Sequence, residues 1–283
     1  AKGQFFSALI IVIIGVMFYS GLNSAYRNLE GASENYYREY RLGDIWVSFI
    51  RAPASVERMA TALPFVKMAT GRVSQDVNMG ISGENAVVRL NTLPDVKKDI
   101  VNDIVIQSGR YFSAGEANQC LVEEQFFKAH GLQVGDFIYP IINGREVKLK
   151  VVGAVNNPEY VYAIKDSGEL LADNRKFGVI YLKKSFGQAV LGFEGSINNL
   201  ALTVHEGTDL AKAKDTINKL FKEFGVIGIQ DRDSQLSSKM VSEEIKGMKS
   251  VAGAFPIIFF IVAAVIIYIS MSRMVENQRA EIG

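Results

Sequence analysis

The residues that could do chemistry in this chain are few and scattered. Its two histidines, His130 and His205, stand far from each other and from the single cysteine, Cys120. One cysteine allows no intrachain disulfide, and Cys120-Leu121-Val122 reads as a small hydrophobe within an apolar run. His130 precedes Gly131 at an expected helix end, where the helix dipole favours a cation. Asp231 and Asp233 flank Arg232, a pattern that suits the start of a helix better than a metal site. The sequence contains no GxxxxGK[ST] phosphate loop, no HExxH helix, no CxxC pair and no GxSxG elbow. No catalytic, cofactor or metal site is therefore expected. With 31 basic against 30 acidic residues, the chain also lacks the basic excess of a nucleic-acid binder.

Two uncharged stretches dominate the ends. Nothing from Gly3 to Tyr26 carries a charge, and Phe5–Leu22 reads FFSALIIVIIGVMFYSGL. The second, Val251–Met271, reads VAGAFPIIFFIVAAVIIYISM. A bilayer core needs about 20 mainly apolar residues, and both stretches meet that length. The first exceeds the roughly 7–15 residues of a signal-peptide core. Tyr19 and Tyr268 sit where amphipathic rings favour the headgroup region. Two spans place both termini on one side. Lys2 before the first, with Arg273 and Arg279 after the second, makes that side the cytoplasm. Lys239, Lys246 and Lys249 precede the second span, but a long domain translocates largely regardless of such charge.

Both helices are expected to continue beyond the lipid. Leu22, Tyr26, Leu29, Ser33, Tyr36 and Tyr40 alternate at spacings of four and three, a heptad seam, and Gly43 is the expected C-terminal cap. Ser234 is the expected N-cap of the other helix. Leu236, Met240, Val241, Ile245 and Met248 then form its apolar stripe. The helices predicted over Phe5–Leu42 and Ser234–Met271 are each about 57 Å long at 1.5 Å per residue, of which about 30 Å lies in hydrocarbon. The remainders could pack as an antiparallel stalk. The expected division is 1–43 for the first helix, 44–233 for a central domain, 234–272 for the second helix and 273–283 for a cytoplasmic segment.

The central domain reads as α+β. Asp44–Ile50 is strand-like, Pro53 and Ser55 open a helix through Leu63, and Phe65–Val77 returns as a strand. Asn199–Val204, Asp209–Phe224 and Val226–Gln230 repeat the strand, helix, strand order. Two such β-α-β units packed together make a ferredoxin-like layer. A β-rich insertion, about 95–195, is expected between them, with a hairpin at Asn143-Gly144. The stretch Asn156–Phe177 reads as an exposed loop, free to face a partner.

The segment from Ile106, IQSGRYFSAGEANQCLVEEQFFKAHGLQVGDFIYPIINGREVKLKVVGAV, resembles the periplasmic core domain of MacB-type and FtsX-like ABC transporter permeases. Gly109-Arg110, Glu116, Gly131-Leu132, Val134-Gly135-Asp136 and Val152-Gly153 carry the likeness. Gly135-Asp136 would make a tight turn between a helix end and a strand, and Gly153 would permit close packing. After the second span, RMVENQRAEIG resembles the start of the segment that contacts the ATPase in these permeases, through Glu276, Arg279, Glu281, Ile282 and Gly283. The family has four or more spans, so the chain looks like a fragment.

The resemblance implies a permease subunit of the cell membrane that works by mechanotransmission. ATP hydrolysis on a separate ATPase subunit would move an extracytoplasmic domain to expel a lipoprotein, peptide or drug. A second permease copy, membrane lipid and an external protein are the implied partners. Span, domain, span order equally suits a two-span sensor with an external ligand-binding domain.

Overall fold

The computed structural model describes residues 2–166, 168 and 172–282. The chain forms two compact units, one of residues 1–35 with 241–283 and one of residues 36–240.

The first unit is a helical pair, taken from α1 (Lys2–Glu39) and the last helix, α6 (Leu236–Ile282). Both are long and apolar enough to cross a membrane, with mean hydropathy reaching 1.8 and 2.7. Gly15 lets the helices approach: a Cβ there would come within 2.9 Å of Phe259 Cβ. The rings of Phe18 and Phe259 stack at 5.9 Å. Small buried residues, Gly15, Ala252 and Ala263, are what close helix packing in lipid favours. The opposite faces expose Ile10, Met17, Ile257, Ile258 and Ile261, surface that a bilayer solvates and water does not. Pro256 sits inside α6 without ending it. Val241, Ile245 and Met248 lie on the covered side of α6 as expected. In α1 the expected seam departs at Leu29, which is exposed while Glu30 is half-buried.

In the second unit, α1 ends differently from the expectation. The left-handed residue is Arg41, at φ 54°, and not Gly43. Leu42 N donates to Tyr37 O at 2.8 Å and Arg41 N to Arg38 O at 3.4 Å, the paired bonds of a Schellman cap. Leu42 packs with Tyr37 and Trp46. Gly43 is needed for space instead, since a Cβ there would lie 3.0 Å from the Trp46 ring. At the start of α6, Ser234 is likewise displaced as cap by Gln235, whose Oε1 accepts from Ser238 N at 2.6 Å. Ser234 closes a turn with Asp231 instead.

The α+β body contains two sheets. The first takes β1 (Ile45–Pro53), α2 (Val56–Thr61), β2 (Val66–Arg72), β12 (Ser196–Val204), α5 (Leu210–Phe221) and β13 (Val226–Asp231). Its order, β13-β1-β12-β2, is antiparallel throughout. That is the ferredoxin-like order, fourth-first-third-second when its own strands are counted. Apolar positions of α2 and α5 (Val56, Ala60, Ala213, Ile217, Phe221) close one face of the sheet. Phe49 and Phe221 meet edge to face at 5.8 Å. The Asp209 carboxylate caps α5 through Ala211 N and Lys212 N.

The expected single strand Phe65–Val77 is two. The chain leaves β2 at Arg72 and enters β3 (Ser74–Ile81) of the second sheet, pivoting on Val73, whose N donates to Thr92 Oγ1 at 2.9 Å. Asn198 clasps Ser74 N and O at 2.8 Å each. The inserted sheet therefore begins at Ser74, ahead of the expected 95. Its other strands are β4 (Glu84–Leu93), β5 (Val105–Gly109), β6 (Gln119–Glu123), β7 (Phe137–Ile138), β8 (Pro140–Ile142), β9 (Arg145–Glu146), β10 (Leu149–Asn156) and β11 (Phe177–Lys183). The order is β5-β10-β6-β11-β4-β3-β8-β9, with β7 on β10. β10 runs parallel to β6 and β11 parallel to β4. Two short helices, α3 (Glu124–Ala129) and α4 (Lys184–Leu191), follow β6 and β11 directly. Asn143 and Gly144, both at positive φ, turn β8 into β9 as their sequence predicts. Cys120 is buried on β6, and that burial pushes its thiol up.

Candidate functional site

The most densely bonded polar group of the body is built on the stretch expected to be an open loop. After β10, Asn157 caps one 3-10 turn, Pro158–Tyr160, through its Oδ1 and Glu159 N at 2.8 Å. Asn157, Pro158, Glu159, Tyr160, Ala163 and Ile164 are all buried. The expectation of a solvated 156–177 loop therefore fails for its first half. The cause is the carboxylate of Glu159, which has charged and polar partners inside.

Glu159 is 5% exposed and Arg72, at the end of β2, is 6% exposed. Arg72 Nη1 and Nη2 donate to the two Glu159 carboxylate oxygens at 2.6 Å each. Its Nε donates to Asn199 Oδ1 at 2.8 Å. Two parallel bonds of this kind are short, strong and fixed in direction. Burial alone would lower the Arg72 guanidinium's pKa, but the Glu159 charge outweighs it and the net direction is up. Burial pushes the Tyr160 and Tyr181 hydroxyls up beside the pair.

Glu159 also reaches toward the ends of both long helices, through its carboxylate on one side and its main-chain oxygen on the other. Asn102 Nδ2 donates to Glu159 Oε2 at 2.7 Å, while Asn102 Oδ1 accepts from Gly43 N at 2.7 Å. Asn102 N and Asp103 N donate to Arg41 O and Tyr40 O at 2.8 and 2.9 Å. The Arg41 guanidinium returns the contact, at 2.8 Å to Asp103 and 2.9 Å to Ile100 O. On the other helix, Gln235 Nε2 donates to Glu159 O at 2.8 Å, and Ser237 Oγ accepts from Tyr162 N at 3.0 Å. Arg232 closes the ring, donating to Leu42 O at 2.8 Å and Gly43 O at 3.0 Å.

One buried residue thus joins the residues after α1, the residues before α6 and both sheets. The polar groups of Glu159 itself are all bonded within the body, so the residue is suited to holding these segments in position. Among the described residues, no cluster of His, Cys, Asp and Glu could hold a metal. His130 stands at the C-terminal end of α3 with Nε2 3.0 Å from Arg175 O. Asp231 is held by Lys214 at 2.5 Å and by Ser234, and these bonds lower its pKa to about 2.

The residues that carried the family resemblance fall elsewhere, on the inserted sheet. Gly109 and Gly153 are register partners of β5 and β10. A Cβ on Gly109, at φ 76°, would come within 2.2 Å of Val152 O, and one on Gly153 within 2.7 Å of Ser108 O. Each glycine makes room for the other's backbone. Gly135, at φ 108°, turns the chain after α3, its N donating to Val151 O at 2.8 Å. Asp136 Oδ2 accepts from Gln133 N at 2.8 Å. Arg110 N donates to Val152 O at 3.0 Å while its side chain stays outside, and Glu116 pairs with Lys150 at 2.9 Å. Glu276, Arg279, Glu281 and Ile282 lie on the backbone of α6 with side chains outside the described residues, as is Gly283.

Sequence reading missed Arg72, Asn102 and Glu159. The Asn-Pro pair at 157–158 was the visible signal for a turn. Nothing local links positions 72, 102 and 159, since their bonds span 57 and 87 residues.

The chain is 29% identical over 202 residues to an uncharacterized ABC transporter permease of Methanocaldococcus jannaschii, covering 68% of this chain and 44% of that protein. It thus spans less than half the length of that relative. Among solved structures, it is similar to the periplasmic region of MacB from Actinobacillus actinomycetemcomitans, at 12% identity and a TM-score of 0.45, covering 74% of this chain and 95% of that one. It is similar also to the extracellular domain of the noncanonic ABC-type transporter YknZ from Gram-positive bacteria, at 13% identity and a TM-score of 0.41, covering 66% and 99%. The family model of the MacB-like periplasmic core domain matches residues 5–220, well over half of the sequence, and the chain belongs to that family.

Proposed function

We propose that this chain is part of an ABC transporter permease in which α1 and α6 cross the cell membrane and pass movement to an extracytoplasmic body. In this reading, ATP hydrolysis on a separate ATPase subunit drives the inner ends of the helices. Segment 273–283, with Glu276, Arg279, Glu281, Ile282 and Gly283, meets that subunit. A second permease copy completes the assembly, and the body acts on a lipoprotein, peptide or drug, or on an external protein.

The observation that carries this reading is the ring of bonds around Glu159. A lever transmits displacement only if its end is fixed to what it moves. Here Glu159 bonds toward both ends, its carboxylate to Asn102 beside the residues after α1 and its main-chain oxygen to Gln235 before α6, so neither end hangs on loose peptide. The uncharged apolar faces of both helices support the membrane placement.

The test is reconstitution of the full-length protein with its ATPase in lipid nanodiscs. Stable association and stimulation of ATP hydrolysis are expected. In the Glu159→Gln variant, which keeps the shape but weakens the pair, hydrolysis continues while the transport or partner-activation readout falls. No association and no stimulation would remove the permease reading.

A further inference from the structure

Three cations stand where the two uncharged spans end and the chain leads toward the body. On α1 the first charge after the span is Arg27, and on α6 the last charges before it are Lys246 and Lys249. Cations at the inner border orient a membrane protein. These stand at the outer border, so orientation gives no reason for them. We propose that Arg27, Lys246 and Lys249 form a binding site for the phosphate of an anionic phospholipid in the outer leaflet. The proposal rests on the membrane placement of α1 and α6 and adds a specific lipid contact to it.

Height along the helices comes first. Phe18 stacks on Phe259 at 5.9 Å, which sets the two helices level. Arg27 follows Phe18 by nine residues, about 14 Å, and Lys249 precedes Phe259 by ten, about 15 Å. Lys246 is about one turn farther out. The spacing across each span agrees. Lys2 to Arg27 is about 37 Å, and Lys249 to Arg273 about 36 Å. Both exceed the hydrocarbon thickness of about 30 Å and fall short of the 40–45 Å or so that includes the headgroups. With Lys2 and Arg273 at one headgroup layer, Arg27 and Lys249 reach the other.

The faces agree as well. Gly15 and Tyr26 on α1, with Ala252 and Pro256 on α6, are buried and mark the line of contact. At about 100° per residue, Arg27 lies about 110° round α1 from that line. Lys249 lies about 40° and Lys246 about 100° round α6, in the same right-handed sense. For two antiparallel helices that face each other, the same sense leads to the same flank. All three cations are exposed, and among the described residues none of them is held in an ion pair.

Sign then selects the ligand. On each helix the carboxylates come after the cations on the way outward. Glu30 lies one turn beyond Arg27, and Glu243 and Glu244 lie beyond Lys246. Positive charge thus meets the phosphate layer and negative charge the water outside it. Glu30 is the nearest carboxylate on the flank of the three cations, so positive charge prevails there. A phosphate diester without a compensating amine gains more from that surplus than a zwitterionic headgroup does.

The full-length protein in mild detergent is titrated with phosphatidylglycerol, and bound lipid is counted by native mass spectrometry. Phosphatidylglycerol is expected to bind more tightly than phosphatidylcholine with the same acyl chains. Arg27→Gln, Lys246→Gln and Lys249→Gln together weaken it by at least about tenfold, since each cation contributes up to about fivefold. Glu30→Gln tightens it by about threefold. Lys67→Gln with Lys222→Gln, two exposed cations of the body, leave it unchanged. Millimolar inorganic phosphate, the same group without acyl chains, does not displace the lipid. Equal affinity for the two lipids would overturn the proposal, as would undiminished binding in the triple variant or displacement by inorganic phosphate. Flotation with liposomes is read separately. A chain that does not float loses the membrane placement itself, whereas one that floats without lipid preference loses only this site.

Discussion

The two sheets of the body are built on different logics. In the four-stranded sheet every strand lies next in sequence to the helix that covers it. Its apolar residues alternate strand by strand, and its core is closed by α2 and α5. In the inserted sheet, neighbours such as β4 and β11 are joined in parallel across some ninety residues, from Val87–Phe177 to Leu93–Lys183. Parallel pairs need long crossovers, and this sheet uses whole hairpins as its crossovers. The first sheet is held by local pattern. The second, and its attachment to the first, is held by a few special positions: a buried ion pair, two glycines in mutual contact and one turn.

The comparison breaks most sharply at Glu159. Replacement by Ala leaves the Arg72 guanidinium buried without its carboxylate, a loss of about 3–5 kcal/mol. Denaturation of the Glu159→Ala chain in detergent, followed by circular dichroism, is expected to show that loss. The double variant Arg72→Met with Glu159→Leu is expected to recover most of it, because an apolar pair of similar volume fills the site without a stranded charge. Recovery of stability without recovery of function would separate the fixing role of the pair from its role in packing. A loss below about 1 kcal/mol in the single variant would put the pair at the level of a surface bridge and remove it as the joint between the sheets.

Next in size is Gly109. An alanine there meets both a positive φ and the Val152 carbonyl, where its Cβ would stand at 2.2 Å. Strain and overcrowding together cost about 3 kcal/mol. Gly144 is the control within the same sheet, since its φ is 77° and nothing lies within 4 Å of a Cβ. Gly144→Ala is expected to cost only the backbone term, about 1 kcal/mol. Equal losses in the two variants would show that backbone conformation, and not the close approach of β5 and β10, makes Gly109 necessary.

What the sequence made legible follows the same division. β1, α2, α5, β12 and β13 were all visible, because alternation and helical periodicity report on neighbours a few residues away. So was the Asn143-Gly144 turn, whose residue types match its two positive φ angles. The break of Phe65–Val77 at Val73 was not visible, because both halves keep strand character. Only Thr92 and Asn198, distant in sequence, direct the chain from one sheet to the other. The buried 157–164 segment was misjudged because its polar residues are those of a loop. Their partners, Arg72, Asn102 and Gln235, come from three separate places. Arg41 took the left-handed position expected of Gly43, because a glycine two residues on was a stronger local signal than a cap that needs Asp103 and Ile100 O to hold an arginine there.

The smallest effect tests whether the local sheet needs any charge at all. Asp231 ends β13 and is bound by Lys214 from α5, with Ser234 completing the turn toward α6. The hydrogen bond from Lys214, then that from Ser234, lowers its pKa from 3.8 to about 2. A carboxyl lowered in the folded state adds stability above its unfolded pKa and loses it as pH falls through the folded one. The contribution is therefore complete above about pH 4 and gone near pH 2. Asp231→Asn is expected to cost about 1 kcal/mol at pH 6, in the range of a good ion pair. The gap to the parent protein should close as pH falls through that window. If the gap persists at low pH, the turn is held by hydrogen-bond geometry that asparagine cannot reproduce, and the four-stranded sheet depends on a specific polar clasp much as the inserted one does.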